Sequence, residues 1–171
     1  SGDIGGLRVR RYYMVYRALV RAKIAVLREG QREGEGEGGA GPSDVGRYLD
    51  VARACGRATL PAPVLMLTHG CSGSGKTALT QSLLELCGAL RLRADVERKR
   101  LFGLPALARS DASLKPQLYS PAADAATHSQ LRESAAIALA SGWPVILDAT
   151  FLAREPRDRA RELAASLGAG F

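Results

Sequence analysis

Gly70-Cys71-Ser72-Gly73-Ser74-Gly75-Lys76-Thr77 satisfies G-x-x-x-x-G-K-[ST] at every fixed position. The flanks decide whether such a match means anything. Val64–Thr68 is a continuous apolar run, as expected of a strand buried on both faces. Thr77–Cys87 reads as a helix that Gly88 ends. Strand, loop and helix start in this order make an anion cradle, because glycines let the backbone wrap phosphate with its N–H groups inward and the helix dipole adds to the attraction. Gly70, Ser72, Gly73, Ser74 and Gly75 are therefore expected to line a nucleoside triphosphate. Lys76 is expected to reach its β/γ-phosphates and Thr77 to ligate Mg²⁺, which makes ATP and Mg²⁺ the expected ligands.

Downstream, strand and helix signals alternate. Ala89–Arg93 reads as a second strand and Asp95–Phe102 as a helix stopped by Gly103. The stretch 104–119, with Pro105 and Pro116, carries no clear period. Ser120-Pro121 has the chemistry of a helix start, and that helix is expected to run to about Ser141 before Gly142. Val145–Asp148 is a third strand and Ala153–Leu167 a further helix. Such a βαβα order implies a parallel sheet, hence an α/β fold of the P-loop NTPase type with three αβα layers.

Two carboxylates fall where parallel strands end, which is where ligands of open α/β sheets collect. Asp148 closes the run Val145-Ile146-Leu147 and is placed to hold Mg²⁺ with Thr77 or to touch an acceptor; the competing reading is a turn or capping aspartate. Asp95 follows the second strand, either as the base that accepts a proton from an attacking hydroxyl or as the N-cap of the next helix. Arg98 can face the acceptor or phosphate, and Thr150 sits in the loop after Asp148. Arg154 and Arg157 can clamp an anionic substrate, although surface arginines are the commoner explanation. His69, His128 and Trp143 read as strand-end, helix-face and packing residues.

The rest of the chain bounds the possibilities. Arg and Lys exceed Asp and Glu by 24 to 17, for a formal charge of +7. That suits anionic partners, nucleic acid among them, but no basic run is interleaved with aromatics. The three cysteines, Cys55, Cys71 and Cys87, form no CxxC pair, which argues against a zinc site or a disulfide framework and for a reducing, cytoplasmic setting. No apolar run reaches the ~20 residues of a membrane span. Arg10–Arg28 has the spacing of an amphipathic helix, the 29–43 stretch with its Gly34–Gly41 repeat of glycine and glutamate reads as a flexible linker, and 44–63 as a connecting helix closed by Pro61 and Pro63.

The segments GCSGSGKT, RLRADVERKRLFG, THSQLRESAAIALASGWPVILDATFLAR and RELAASLGAGF resemble the kinase-like P-loop half of bacterial bifunctional aminoglycoside phosphotransferase/ATP-binding proteins. That half is similar to polynucleotide kinase, gluconate kinase and zeta-toxin phosphotransferases. The upstream YYMVYRALVRAKIAVLR looks like the last helix of the phosphotransferase-like half, which would make residues 1–28 its end and 64–171 a P-loop domain incomplete at its carboxyl terminus. The resemblance implies ATP-dependent phosphoryl transfer to a hydroxyl, on a small molecule or at a nucleic-acid 5′ end. It implies Lys76, Asp95 and Asp148 as catalytic residues, with Asp95 the general base and Arg98 on the acceptor side. A nucleotide-binding regulatory module within a larger protein is the alternative.

Overall fold

The computed structural model describes residues 3–34, 44–56, 62–71, 73–106 and 115–171. Two units divide the chain, residues 1–60 and 61–171. In the first, α1 (Leu7–Gly34) packs on α2 (Asp44–Gly56). Alanines make the close approach possible, since Ala18, Ala22 and Ala52 are buried there. Much of the expected apolar stripe of α1 is nevertheless exposed, including Tyr16, Leu19, Val26 and Leu27.

The linker expected from residue 29 starts later, because α1 continues through Gly34. Glu29 and Gln31 are good helix formers, and extending an existing helix is cheap compared with starting one. Residues 35–43, the rest of the expected linker, lie outside the described residues, as do 57–61, so the connecting helix is described as far as Gly56.

The second unit is built on a parallel sheet. Its strands are β1 (Leu65–Leu67), β2 (Leu90–Arg93) and β3 (Val145–Asp148), in the order β1-β3-β2. Leu65 pairs with Val145 and Leu67 with Leu147, while Leu92 faces Leu147 and Arg93 faces Asp148. The helices are α3 (Lys76–Cys87), α4 (Ala94–Leu101), α5 (Lys115–Leu118), α6 (Pro121–Ala140) and α7 (Arg154–Ser166). This is the expected P-loop α/β fold with its parallel sheet. α5 adds a short turn of helix in the stretch whose period was unclear, of which 107–114 lie outside the described residues.

Burial follows strand order rather than local sequence. The central strand β3 is buried at all of Val145, Ile146, Leu147 and Asp148. β1, expected to be covered on both faces, buries Leu65 but leaves Met66 and Leu67 partly exposed, because it stands at the edge of this sheet. Beside it a parallel bridge joins Val64 to Gly170, with the Leu65 N–H donating to the Gly170 carbonyl at 2.8 Å.

Helix ends aim the functional edge. α3 starts directly after the loop that follows β1, and α4 starts directly after β2, so both helix N-termini open where the strands end. α6 begins as its sequence implies, with Ser120 Oγ accepting the Ala123 N–H at 3.2 Å and Pro121 in the first turn. It then buries Thr127, Leu131, Ala135 and Ala138 as it packs on β2, β3 and α4. Ser120→Ala should therefore cost about 1 kcal/mol, read as a lower midpoint in chemical denaturation with an unchanged slope.

Candidate active site

The glycine loop reaches its shape at three positions with positive φ, Gly70 at 138°, Gly73 at 81° and Gly75 at 80°. An L-residue would pay about 1–2 kcal/mol at each of the last two. Gly75 sits at the N-cap of α3 and offers no side-chain cap, so the first amides of that helix remain for an anion. Lys76 lies across the loop, its Nζ donating to the Gly70 carbonyl at 2.9 Å, to the Cys71 carbonyl and to Ser74 Oγ at 3.3 Å. These contacts hold a cation at the mouth of the loop. Cys71 is exposed, and Ser72 lies outside the described residues.

A cavity of about 710 Å³ opens from this loop. Gly73, Gly75, Lys76 and Thr77 line one end, and Asp148, Asp95, Arg98 and Thr150 line it as well. Residues expected from three separate stretches of sequence thus share one space. Thr77 Oγ1 donates to Asp148 Oδ2 at 3.3 Å, bringing two hard oxygen donors together at the loop end. Asp148 is 8% exposed and follows three apolar residues of the central strand, so its carboxylate is fixed by burial as well as by Thr77. Thr77 and Asp148 fit Mg²⁺, which binds through one or two protein oxygens with phosphate and water completing its shell.

Asp95 is not the N-cap of α4. That position falls to Arg93, which makes no side-chain cap bond, and Asp95 stands in the first turn. Lys99 Nζ donates to Asp95 Oδ2 at 2.9 Å, and Lys99 is only 12% exposed, so the pair is held from beneath while Asp95 stays 46% exposed toward the cavity. Among the described residues the other carboxylate oxygen of Asp95 makes no hydrogen bond.

Arg98 is largely enclosed. Its Nη2 lies 2.5 Å from Asp124 Oδ1, and its guanidinium stacks 4.7 Å from the Tyr119 ring centre. Its Nε is buried without a hydrogen-bond partner among the described residues.

Four further polar residues line the cavity that the motifs did not point to: Arg93, Tyr119, Asp124 and His128. Arg93 is delivered by register, facing Asp148 across β2 and β3 with Nε 3.9 Å from Oδ2. Its signal was present in Arg93-Ala94-Asp95, but only the pairing of β2 with β3 reveals the contact. Asp124 and His128 lie one turn apart on α6, and Tyr119 just precedes it.

The loop after β3 ties the site together. The Thr150 carbonyl accepts the Gly70 N–H at 3.1 Å, and Thr68 Oγ1 donates to the Ala149 carbonyl at 2.6 Å while accepting its N–H at 3.1 Å. Phe151 adopts φ 45°, a strained choice for a residue with a Cβ. Its ring is buried 5.0 Å from that of His128. Arg157 holds this turn by donating to the Phe151 carbonyl at 2.6 Å and the Leu152 carbonyl at 2.8 Å. Arg157 and Arg154, expected to clamp an anionic substrate, do not line the P-loop cavity. They border a separate depression with His69 and Arg161, where Arg157 is engaged by backbone and Arg154 pairs with Asp158 at 3.2 Å.

Burial of His128 pushes its pKa below the ordinary 6.5; Asp124 opposes this, and Arg132 and Arg98 add to it. The folded protein therefore binds fewer protons than the unfolded chain below pH 6.5, and stability falls as pH drops through that window. His128→Gln should shrink the loss of thermal midpoint between pH 7.5 and pH 5.5, measured by scanning calorimetry against the parent protein.

Comparison with known proteins places the fold. Uncharacterized proteins of Mycobacterium bovis and of two Mycobacterium tuberculosis strains are 36% identical over 166 residues, covering 96% of this chain. The chain spans 32% of the length of these relatives. A crystal structure of a protein provisionally assigned as a kinase from Chloroflexus aurantiacus is similar in fold, with TM-score 0.50, 23% identity, and coverage of 65% of this chain and 57% of that one. A gluconokinase from Sinorhizobium meliloti gives TM-score 0.37 and 26% identity over 61% of this chain and 53% of that one. Residues 65–171, from the first strand through the last helix, match the AAA domain family, and the chain belongs to it.

Proposed function

We propose that this protein is a Mg²⁺-dependent kinase that transfers the γ-phosphoryl group of ATP to an acceptor hydroxyl. The observation that carries the reading is the sharing of one cavity by Lys76, Thr77, Asp148 and Asp95. A phosphate-binding loop alone can serve a switch or a pump. A half-exposed carboxylate facing the same space, on the neighbouring strand's helix, adds a place for a proton to go.

In this reading the α3 amides and Lys76 bind the β- and γ-phosphates. Thr77 and Asp148 hold Mg²⁺, which would draw charge from the phosphate oxygens when bound. Arg93, beside Asp148, adds a positive charge at the same end. The acceptor hydroxyl gives its proton to Asp95 as its oxygen bonds to the γ-phosphorus, and the bond from that phosphorus to the bridging oxygen breaks to release ADP. Lys99 keeps the Asp95 carboxylate turned into the cavity.

Two substitutions separate the roles. Asp95→Asn should lower acceptor phosphorylation by roughly 100-fold or more while leaving the KM for ATP within about 3-fold, because general bases contribute about 10²–10⁴ to rate. Undiminished turnover would remove Asp95 as the base. Thr77→Ala should abolish the gain in ATP affinity on adding Mg²⁺, measured by titration calorimetry with and without EDTA. A Mg²⁺ dependence equal to that of the parent protein would take the metal away from Thr77.

A further inference from the structure

The two ends of the cavity differ in how their charges are spent. At the loop end Lys76 and the α3 amides face the space with only backbone carbonyls and a serine hydroxyl as partners for the lysine. At the other end each charged group already has an opposite partner inside the protein. Arg98 is matched by Asp124 at 2.5 Å and covered by the Tyr119 ring. Asp95 is matched by Lys99 at 2.9 Å. Arg93, the remaining cation of the lining, stands by Asp148 and belongs to the loop end.

We propose that the end of the cavity walled by Tyr119, Asp124 and His128 is the acceptor subsite, and that it takes an uncharged polyhydroxyl compound rather than a phosphorylated, carboxylated or nucleic-acid acceptor. The proposal rests on the kinase reading and narrows it.

An anionic acceptor group placed here would meet the half-exposed Asp124 and Asp95 carboxylates, and among the described residues that line this end of the cavity no uncompensated cation would receive it. Its desolvation would go unrepaid, and like charges would repel at close range. Hydroxyls suit the same wall. Carboxylates accept hydrogen bonds from them, a phenol both gives and takes, and a neutral imidazole carries one donor and one acceptor. Burial and the nearby Arg132 and Arg98 hold His128 on its neutral side, with Asp124 pulling the other way. Discrimination follows from the same pairing. Asp124 neutralises Arg98, so removing the Asp124 charge would turn Arg98 into a free cation and invite an anion.

The test measures acceptor-dependent ADP formation by the protein with matched acceptors: glucose, sorbitol and adenosine on one side, gluconate, glucose 6-phosphate and a 5′-hydroxyl oligonucleotide on the other. An uncharged acceptor should exceed its charged counterpart at least tenfold in kcat/KM. Asp124→Asn should shift that ratio at least tenfold toward the charged member. Because the ratio is internal to one preparation, partial loss of folded protein cancels from it. Preference for gluconate, glucose 6-phosphate or the oligonucleotide overturns the subsite proposal and leaves the kinase reading standing, and so does an Asp124→Asn ratio equal to that of the parent. Bound ATP with no acceptor-dependent ADP from either set overturns the kinase reading, and this proposal falls with it.

Discussion

The hydrogen bond from Thr77 to Asp148 joins the two halves of the P-loop machinery, and the rest of the site is arranged around it. Thr77 is the second residue of α3, positioned by a loop that needs left-handed glycines at 73 and 75. Asp148 is the last residue of the central strand, positioned by apolar neighbours that bury it. Neither residue is close to the other in sequence. The parallel pairing of β1 with β3 brings them together, and the Gly70–Thr150 and Thr68–Ala149 bonds fasten the loops on either side. The strained Phe151 turn, held by Arg157, is the cost of that fastening.

From that point the cavity acquires its polarity. β2 lies on the other side of β3, so its last residue, Arg93, lands next to Asp148, and the helix that follows immediately presents Asp95. α4 packs on α6, which sets Arg98 against Asp124 and closes the far wall with Tyr119 and His128. One end is left rich in amide and ammonium donors; at the other, charges are paired off within the protein. In the proposed kinase, such a difference between the two ends would distinguish a triphosphate from an acceptor by electrostatics before any detail of shape is considered.

How much of this could be read from the sequence depended on the range of the interaction involved. The phosphate loop, the strand before it and the helix after it are local, and glycine chemistry with apolar runs marks them. Asp148 was legible because four consecutive residues declare a buried strand ending in an acid. Asp95 was legible only as a choice between base and cap, and the cap falls because the N-cap of α4 lies two residues earlier, at Arg93. Arg93 and Asp124 were not legible, since each gains its meaning from a partner strand or helix far away in sequence. Arg157 shows the converse: its position after the third strand suggested a substrate contact, but the carbonyls of an irregular turn claim the guanidinium. The coverage of β1 and the end of α1 also escaped, because strand order decides the first and helix propagation the second.

The most direct test of the account is a crystal structure of the protein with Mg²⁺ and a non-hydrolysable ATP analogue. The account predicts β- and γ-phosphates on the α3 amides, Lys76 Nζ moved from the Gly70 and Cys71 carbonyls onto phosphate oxygen, the ion bound by Thr77 Oγ1 and near Asp148, and the γ-phosphate pointing along the cavity toward Asp95. A nucleotide seated with its γ-phosphate turned away from Asp95, or with Lys76 still on the loop carbonyls, would contradict it.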